Sequence, residues 1–319
     1  MHPTSQNYGI LVSTRNRPHQ LNRMLDSVLH SSLKPKQVII ISSGDSIDEM
    51  LRNFELLLPI THKHIEGRGQ IRQKIEGVKL LAADLDWVAF FDDDILLERN
   101  AIHNIFETVS NHPNPERILG VGLATNDLPE NNHSLTRRIF TRFFGINENK
   151  PGGIQRNGQN NSYMSSSIPI ETSWLNGASI WRRDIASNYN IPHLKARYSI
   201  CEDLIFSYPY SKQGILLFNP GSKFSFQEHV VEIQASPDIF RALTYWRLYF
   251  VSLHSELSKS LFLWSQVGRT LQYMISQKGN LRFRLTSASF AISILADVFL
   301  LVFKQIPSIR ILELRQSDK

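Results

Sequence analysis

Five bulky apolar residues, Trp87-Val88-Ala89-Phe90-Phe91, run straight into three aspartates, Asp92-Asp93-Asp94. A continuous apolar run of this kind reads as a strand buried on both faces, which a one-sided antiparallel sheet does not require. It therefore demands helices above and below the sheet. The aspartates then crowd negative charge onto the rim of that sheet. Adjacent carboxylates repel one another and need a cation or a basic partner. Oxygen-only ligands suit Mg²⁺ or Mn²⁺, which complete their shells with substrate phosphates. A solvated acidic turn that caps the next helix is the plainer alternative.

The rest of the first 125 residues repeats this alternation. Gly9 to Ser13 is strand-like, and Val38 to Ile41 is a run of four β-branched residues. Ile60 to Ile65 is a weaker strand. Helical stripes fall over Pro18 to His30, Ile47 to Leu58, Gly69 to Ala83 and Arg99 to Val109. Strands alternating with helices predict an α/β chain with a mostly parallel central sheet flanked by helices. Ligands of such sheets bind beyond the carboxyl ends of the strands. Three polar clusters fall there: Ser13-Thr14-Arg15-Asn16-Arg17, Ser42-Ser43-Gly44-Asp45 and the aspartates.

Residues 126–172 are rich in Gly, Asn and Ser and poor in apolar residues. They read as a long flexible loop, either a flap over the cleft or a plain insertion. Cys201 to Lys212 reads as helix and Ile215 to Phe218 as strand. From Pro237 onward the chain is helical and aromatic. The expected division is a first domain over 1–232 and a helical C-terminal extension over 233–319. Leu285 to Phe303 carries a single charge, Asp297, but Thr286, Ser289, Ser293 and Asp297 recur at helical spacing. An amphipathic helix that packs on the protein or lies at a membrane interface, over 285–310, fits this better than a span.

Bulk properties narrow the classes. One cysteine in 319 residues, Cys201, excludes an internal disulfide and fits a reducing compartment. The polar start, Met1 to Tyr8, predicts no secretory leader, hence a cytoplasmic place, at most at the inner face of the membrane. A net charge of +6 suits phosphates or an anionic surface. No interleaved basic and aromatic array points to nucleic acid. Neither a Gly-x-Gly-x-x-Gly after the first strand nor a P-loop is present.

Five segments, in order, resemble the family 2 glycosyltransferases of GT-A type, a Rossmann-like sandwich, over about residues 7 to 230. They are Ile10 to Arg17, Gly67 to Arg72, Phe90 to Asp94, Trp174 to Ala178 with Trp181-Arg182-Arg183, and Cys201-Glu202-Asp203-Leu204. The resemblance implies a nucleotide-sugar donor, a glycan or lipid-linked acceptor, a Mn²⁺ or Mg²⁺ cofactor and inversion at the anomeric carbon. It assigns Asp203 as general base with Glu202 beside it. Ser13, Thr14, Arg15, Arg17, Ser42, Asp45, Arg72, Asp92 and Asp93 would hold the donor. Asp92, Asp94 and His229 would hold the metal, and Trp174, Asn176 and Gly177 the acceptor. The family's Asp after the second strand is replaced by Ser42-Ser43-Gly44, with Asp45 and Asp48 close by. The Gln-x-x-Arg-Trp motif of processive synthases is absent, since Gln266 and Arg269 lack the Trp, which implies single additions. A non-catalytic nucleotide-sugar binding protein is the rival reading, and the retained Glu202-Asp203 pair argues against it.

Overall fold

A computed structural model describes residues 6–127, 134–146, 150–192, 200–227, 236–277 and 281–304. The expected metal ligand His229 lies outside these residues. The described part falls into two compact units, one within 1–128, 163–193 and 202–229, the other within 129–162, 194–201 and 230–319.

The first unit opens with β1 (Tyr8–Arg15), α1 (Pro18–His30), β2 (Gln37–Ser43), α2 (Asp48–Leu51), β3 (Ile60–His64), α3 (Gln70–Val78) and β4 (Trp87–Asp92). β5 (Ile95–Leu97), α4 (Ala101–Ser110) and β6 (Ile118–Thr125) follow. In the second unit, α5 (Leu135–Phe143) occupies part of the stretch read as loop. Of its apolar residues Leu135, Ile139 and Phe143 are exposed and Phe140 is half-buried, so none marks a core-facing stripe among the surrounding Gly and Asn. The first unit resumes with β7 (Ile170–Thr172), β8 (Ser179–Arg182), α6 (Arg183–Ala186), α7 (Glu202–Tyr210) and β9 (Ile215–Phe226).

Nine strands form one sheet among the described residues, in the order β3-β2-β1-β4-β8-β6-β9-β5, with β7 on β9. The half β3-β2-β1-β4 is parallel throughout. β8 runs antiparallel between β4 and β6, while β6 and β9 are parallel. The alternate residues of the buried strands separate cleanly. Ile10, Val12, Ile40, Ala89 and Phe91 join the core that α1 and α4 cover. On the opposite face, Leu11 lies beneath Gly77 of α3, and the Phe90 ring meets Phe206 of α7 at 6.0 Å. Both faces are thus covered, as the continuous apolar runs require.

The second unit continues with α8 (Pro237–Leu253), α9 (Lys259–Ser276) and α10 (Leu281–Phe303), which pack on one another. α10 buries Ser287, Ala291, Ile294, Val298 and Leu301, a stripe at alternating four- and three-residue spacing. Asp297 accepts a hydrogen bond from the Tyr245 hydroxyl. The outer face mixes Thr286, Ser289 and Ser293 with exposed Leu285, Ile292, Leu300 and Phe303, so the polar stripe is narrower than its spacing suggests.

Candidate active site at the carboxyl ends of the parallel strands

Parallel pairing aligns Ser13 of β1 with Asp92 of β4, and Arg15 with Ser43 of β2. The three polar clusters therefore share one rim. There the aspartates part company, because neighbouring residues at a strand end point to opposite faces.

Asp93 turns toward the α1 side. It is 4 % exposed, and it accepts hydrogen bonds from Thr14 Oγ1 at 2.7 Å and Arg17 Nη1 at 2.8 Å. The same guanidinium donates through Nη2 to Asp94 Oδ2 at 2.9 Å. Burial pushes the Asp93 carboxyl up to about 6, against the pull of Thr14 and Arg17. The side chain of Asp94 keeps a quarter of its surface open. Beyond it, Gln227 is pinned by its backbone N–H to the Asp94 carbonyl at 2.9 Å.

Asp92 faces the α3 and α7 side. Gln70 Nε2 donates to its Oδ1 at 2.6 Å. A Cβ placed on Gly177 would stand 3.4 Å from Asp92 Oδ2 and 3.5 Å from Asp203 Oδ2, so a residue without a side chain separates the two carboxylates. Behind them Lys74 donates to Glu202 Oε1 in a fully buried ion pair. Ser207 Oγ donates to the Asp203 backbone carbonyl at 2.5 Å, and the Asp203 carboxylate faces Gly177. Glu202 and Asp203 occupy the first turn of α7, where the helix dipole favours negative charge.

Three carboxylates, Glu202 buried and Asp92 and Asp203 half-buried, cannot all be ionised cheaply around one ammonium. Burial raises Asp92, Glu202 and Asp203, and Lys74 only partly offsets it. Asp203 is pushed up to about 7, with Glu202 and Asp92 adding to the rise. Burial opposes charge on Lys74, but Glu202, Tyr189, Asp203 and Asp92 outweigh it and hold the ammonium protonated.

The other expected donor residues mostly shape the rim. Arg15 Nη1 donates to the Gly67 carbonyl at 3.0 Å and Arg72 Nη1 to the Glu66 carbonyl at 2.5 Å, so both clamp the turn before α3. Ser42 Oγ lies 2.8 Å from His62 Nε2 and 3.1 Å from His64 Nδ1. The Asp45 backbone N–H donates to Asn16 Oδ1 at 2.9 Å, across Gly44, whose φ of +84° leaves no room for a Cβ beside Asn16. Ser13 is buried with an unpartnered hydroxyl. The Trp174 ring packs 4.8 Å from Tyr163, whose hydroxyl accepts the Asn176 N–H at 2.7 Å. The amide oxygen of Asn176 is buried without a partner.

Sequence reasoning missed Gln70, Gln73 and Lys74. It followed the apolar stripe of α3, but the buried residues are Ile71, Gln73, Lys74 and Gly77. Gln73 donates to the carbonyls of Thr14 at 2.7 Å and Ile41 at 3.0 Å, bracing the rim. The signal was present, since 70, 73, 74 and 77 also recur at helical spacing.

Residues 9–167 match the family model described as glycosyl transferase family 2. The chain carries a family 2 glycosyltransferase domain. Solved structures agree on the fold. Staphylococcus aureus TarS 1–349 with UDP-GlcNAc superposes at a TM-score of 0.55 with 13% identity, over 92% of this chain and 80% of that one. The mannosyltransferase PcManGT from Pyrobaculum calidifontis, with GDP-Man and Mn²⁺, gives 0.52 and 10%, over 96% and 89%. GalNAc-T7, solved with UDP, GalNAc and Mn²⁺, gives 0.53 and 13%, over 88% and 57%. No curated protein sequence matches the glycosyltransferase.

Among its described residues the enzyme has no cluster of three or more His, Cys, Asp or Glu side chains able to hold a metal alone. A divalent ion would therefore need ligands from a bound diphosphate, which suits Mg²⁺ or Mn²⁺. The partly open carboxylate of Asp94, with Asp92 on the same rim, fits that arrangement.

Proposed function

We propose that this glycosyltransferase is metal-dependent and inverting, and moves one sugar per encounter from a nucleotide diphosphate, uridine-linked, to a hydroxyl of a glycan or lipid-linked acceptor. The observation that carries the reading is the meeting of Asp92 and Asp203 across Gly177. It sets a carboxylate of near-neutral pKa against the rim where the donor diphosphate would lie.

Asp203 takes the proton of the acceptor hydroxyl as that oxygen attacks the anomeric carbon. Its raised pKa matches it to that task near neutral pH. Glu202 stays paired with Lys74, and the fixed ammonium orients the base and limits the repulsion from Asp92. Gly177 leaves the space that an acceptor oxygen needs. Arg17 holds Asp93 and Asp94 in place, and Thr14 fixes Asp93 from the strand side. Asp94 and Asp92 would hold Mn²⁺ or Mg²⁺, which when bound neutralises the charge that develops on the departing diphosphate. TarS was solved with UDP-GlcNAc and PcManGT with GDP-Man, which supports a nucleotide-sugar donor here.

The outer face of α10 supports a peripheral place at a membrane. The helix has 23 residues, its most apolar 18-residue stretch has a mean hydropathy of 2.1, and only about a quarter of that stretch is buried. One stripe is already committed to α8 and α9, so contact on the opposite side suits an interface-lying helix.

The test is a screen of nucleotide sugars with simple glycoside acceptors, with Mn²⁺ or with chelator, and NMR of the product. Product of inverted anomeric configuration, made only with metal, is expected. Retained configuration, or full rate in chelator, would contradict the reading.

A further inference from the structure

Two arginines of the helical unit carry charge that no acidic side chain answers. Arg247 of α8 is 8 % exposed. Its Nη1 donates to the Gly158 carbonyl at 3.0 Å and to Gln159 Oε1 at 3.1 Å, and its Nη2 to Asn160 Oδ1 at 3.1 Å. Cys201 Sγ lies 3.9 Å from the same Nη2. Arg269 of α9 donates from Nη2 to the same Gln159 Oε1, so one amide oxygen bridges both guanidiniums. All the acceptors around the pair are neutral carbonyls, amides or a thiol. Among the described residues neither guanidinium has an ion-pair partner.

Two buried donors point at no partner: Nε of Arg269 and Nε2 of Gln159, a residue only 4 % exposed. A buried guanidinium without an anion is costly, and two beside each other repel. Burial and the nearby Arg247 pull Arg269 down to about 9, with Cys201 acting the other way. The catalytic reading uses neither arginine.

We infer that Arg247, Arg269 and Gln159 form an anion site for a phosphate group. Arg269 Nε, its remaining N–H groups and Gln159 Nε2 are the donors facing the ligand. Arg247 is held in place by the 158–160 segment and contributes charge. A phosphate monoester dianion balances two guanidiniums, which a single carboxylate does not, and it accepts several donors at once. The source is a free phosphate, a phosphate ester on a soluble molecule, or a lipid headgroup.

The experiment is thermal unfolding of the full chain at constant ionic strength, in chloride alone or with inorganic phosphate, glycerol 3-phosphate or phosphatidic acid vesicles. At least one phosphate source is expected to raise the melting temperature with saturation, and the strongest identifies the source. Arg269→Gln is expected to weaken that response roughly tenfold or more, and Arg269→Lys less, because Lys keeps the charge and loses the fork. An Arg269→Gln response equal to wild type, or no difference between phosphate and chloride, would overturn the inference. Should Arg269→Gln fail to fold, wild-type crystals soaked in arsenate decide. Anomalous density for arsenic about 4 Å from Arg269 Nε, the distance at which an arsenate oxygen accepts its hydrogen bond, supports the site, and its absence rejects it.

Discussion

At the residue scale, the chemistry rests on unequal treatment of similar side chains. Asp93 is a structural anchor between Thr14 and Arg17, whereas Asp92 and Asp203 face each other across a glycine. Because Asp203 is raised to about 7, kcat/KM should climb as pH rises through that value, as the base loses its proton. A profile flat from pH 5 to 9 would argue against Asp203. Lys74 and Glu202 are a buried pair, and removing one partner strands the other charge. Lys74→Met should therefore cost about 3–5 kcal/mol in denaturant unfolding, while Lys74→Met with Glu202→Leu should be much milder. Equal losses in the single and double variants would show that packing, not charge, holds this corner. None of this pairing was legible in the sequence, because Lys74 and Glu202 are 128 residues apart.

At the element scale, legibility followed burial on both faces. β1, β2 and β4 announce themselves as unbroken apolar runs, and α1 as an apolar stripe, because in each the chain obeys one period. β6 was harder to see, since Gly120 and Gly122 interrupt it. The structure explains Gly120: a Cβ there would come 2.7 Å from the Trp181 ring, so tight packing across strands has erased the β signature. α3 was legible as a helix but not in its orientation, because the buried face carries Gln73 and Lys74. Gly77 sets how closely α3 approaches β1, as an added Cβ would fall 2.5 Å from Leu11 Cδ1. Alanine should favour an isolated helix by about 1 kcal/mol, yet Gly77→Ala should lose about 1–3 kcal/mol of stability by chemical denaturation. A stabilised variant would show that this contact yields at no cost.

At the scale of the whole molecule, the same raised carboxyl links function to stability. In the unfolded chain Asp203 titrates near its ordinary value of 3.8, and in the fold near 7. The folded state thus binds the extra proton, and the stability it confers is full below about pH 4 and lost as pH rises through about 7. Asp203→Asn should accordingly melt higher than wild type at pH 8, with the difference shrinking toward pH 4. A difference independent of pH would separate its burial from its titration. The same variant tests the central claim most directly, through transfer rate and nucleotide affinity measured side by side. The account predicts that Asp203→Asn lowers transfer by about 10²-fold or more, the scale of general-base catalysis, while the nucleoside diphosphate binds as in wild type. Transfer at the wild-type rate by a variant that binds nucleotide normally would contradict it.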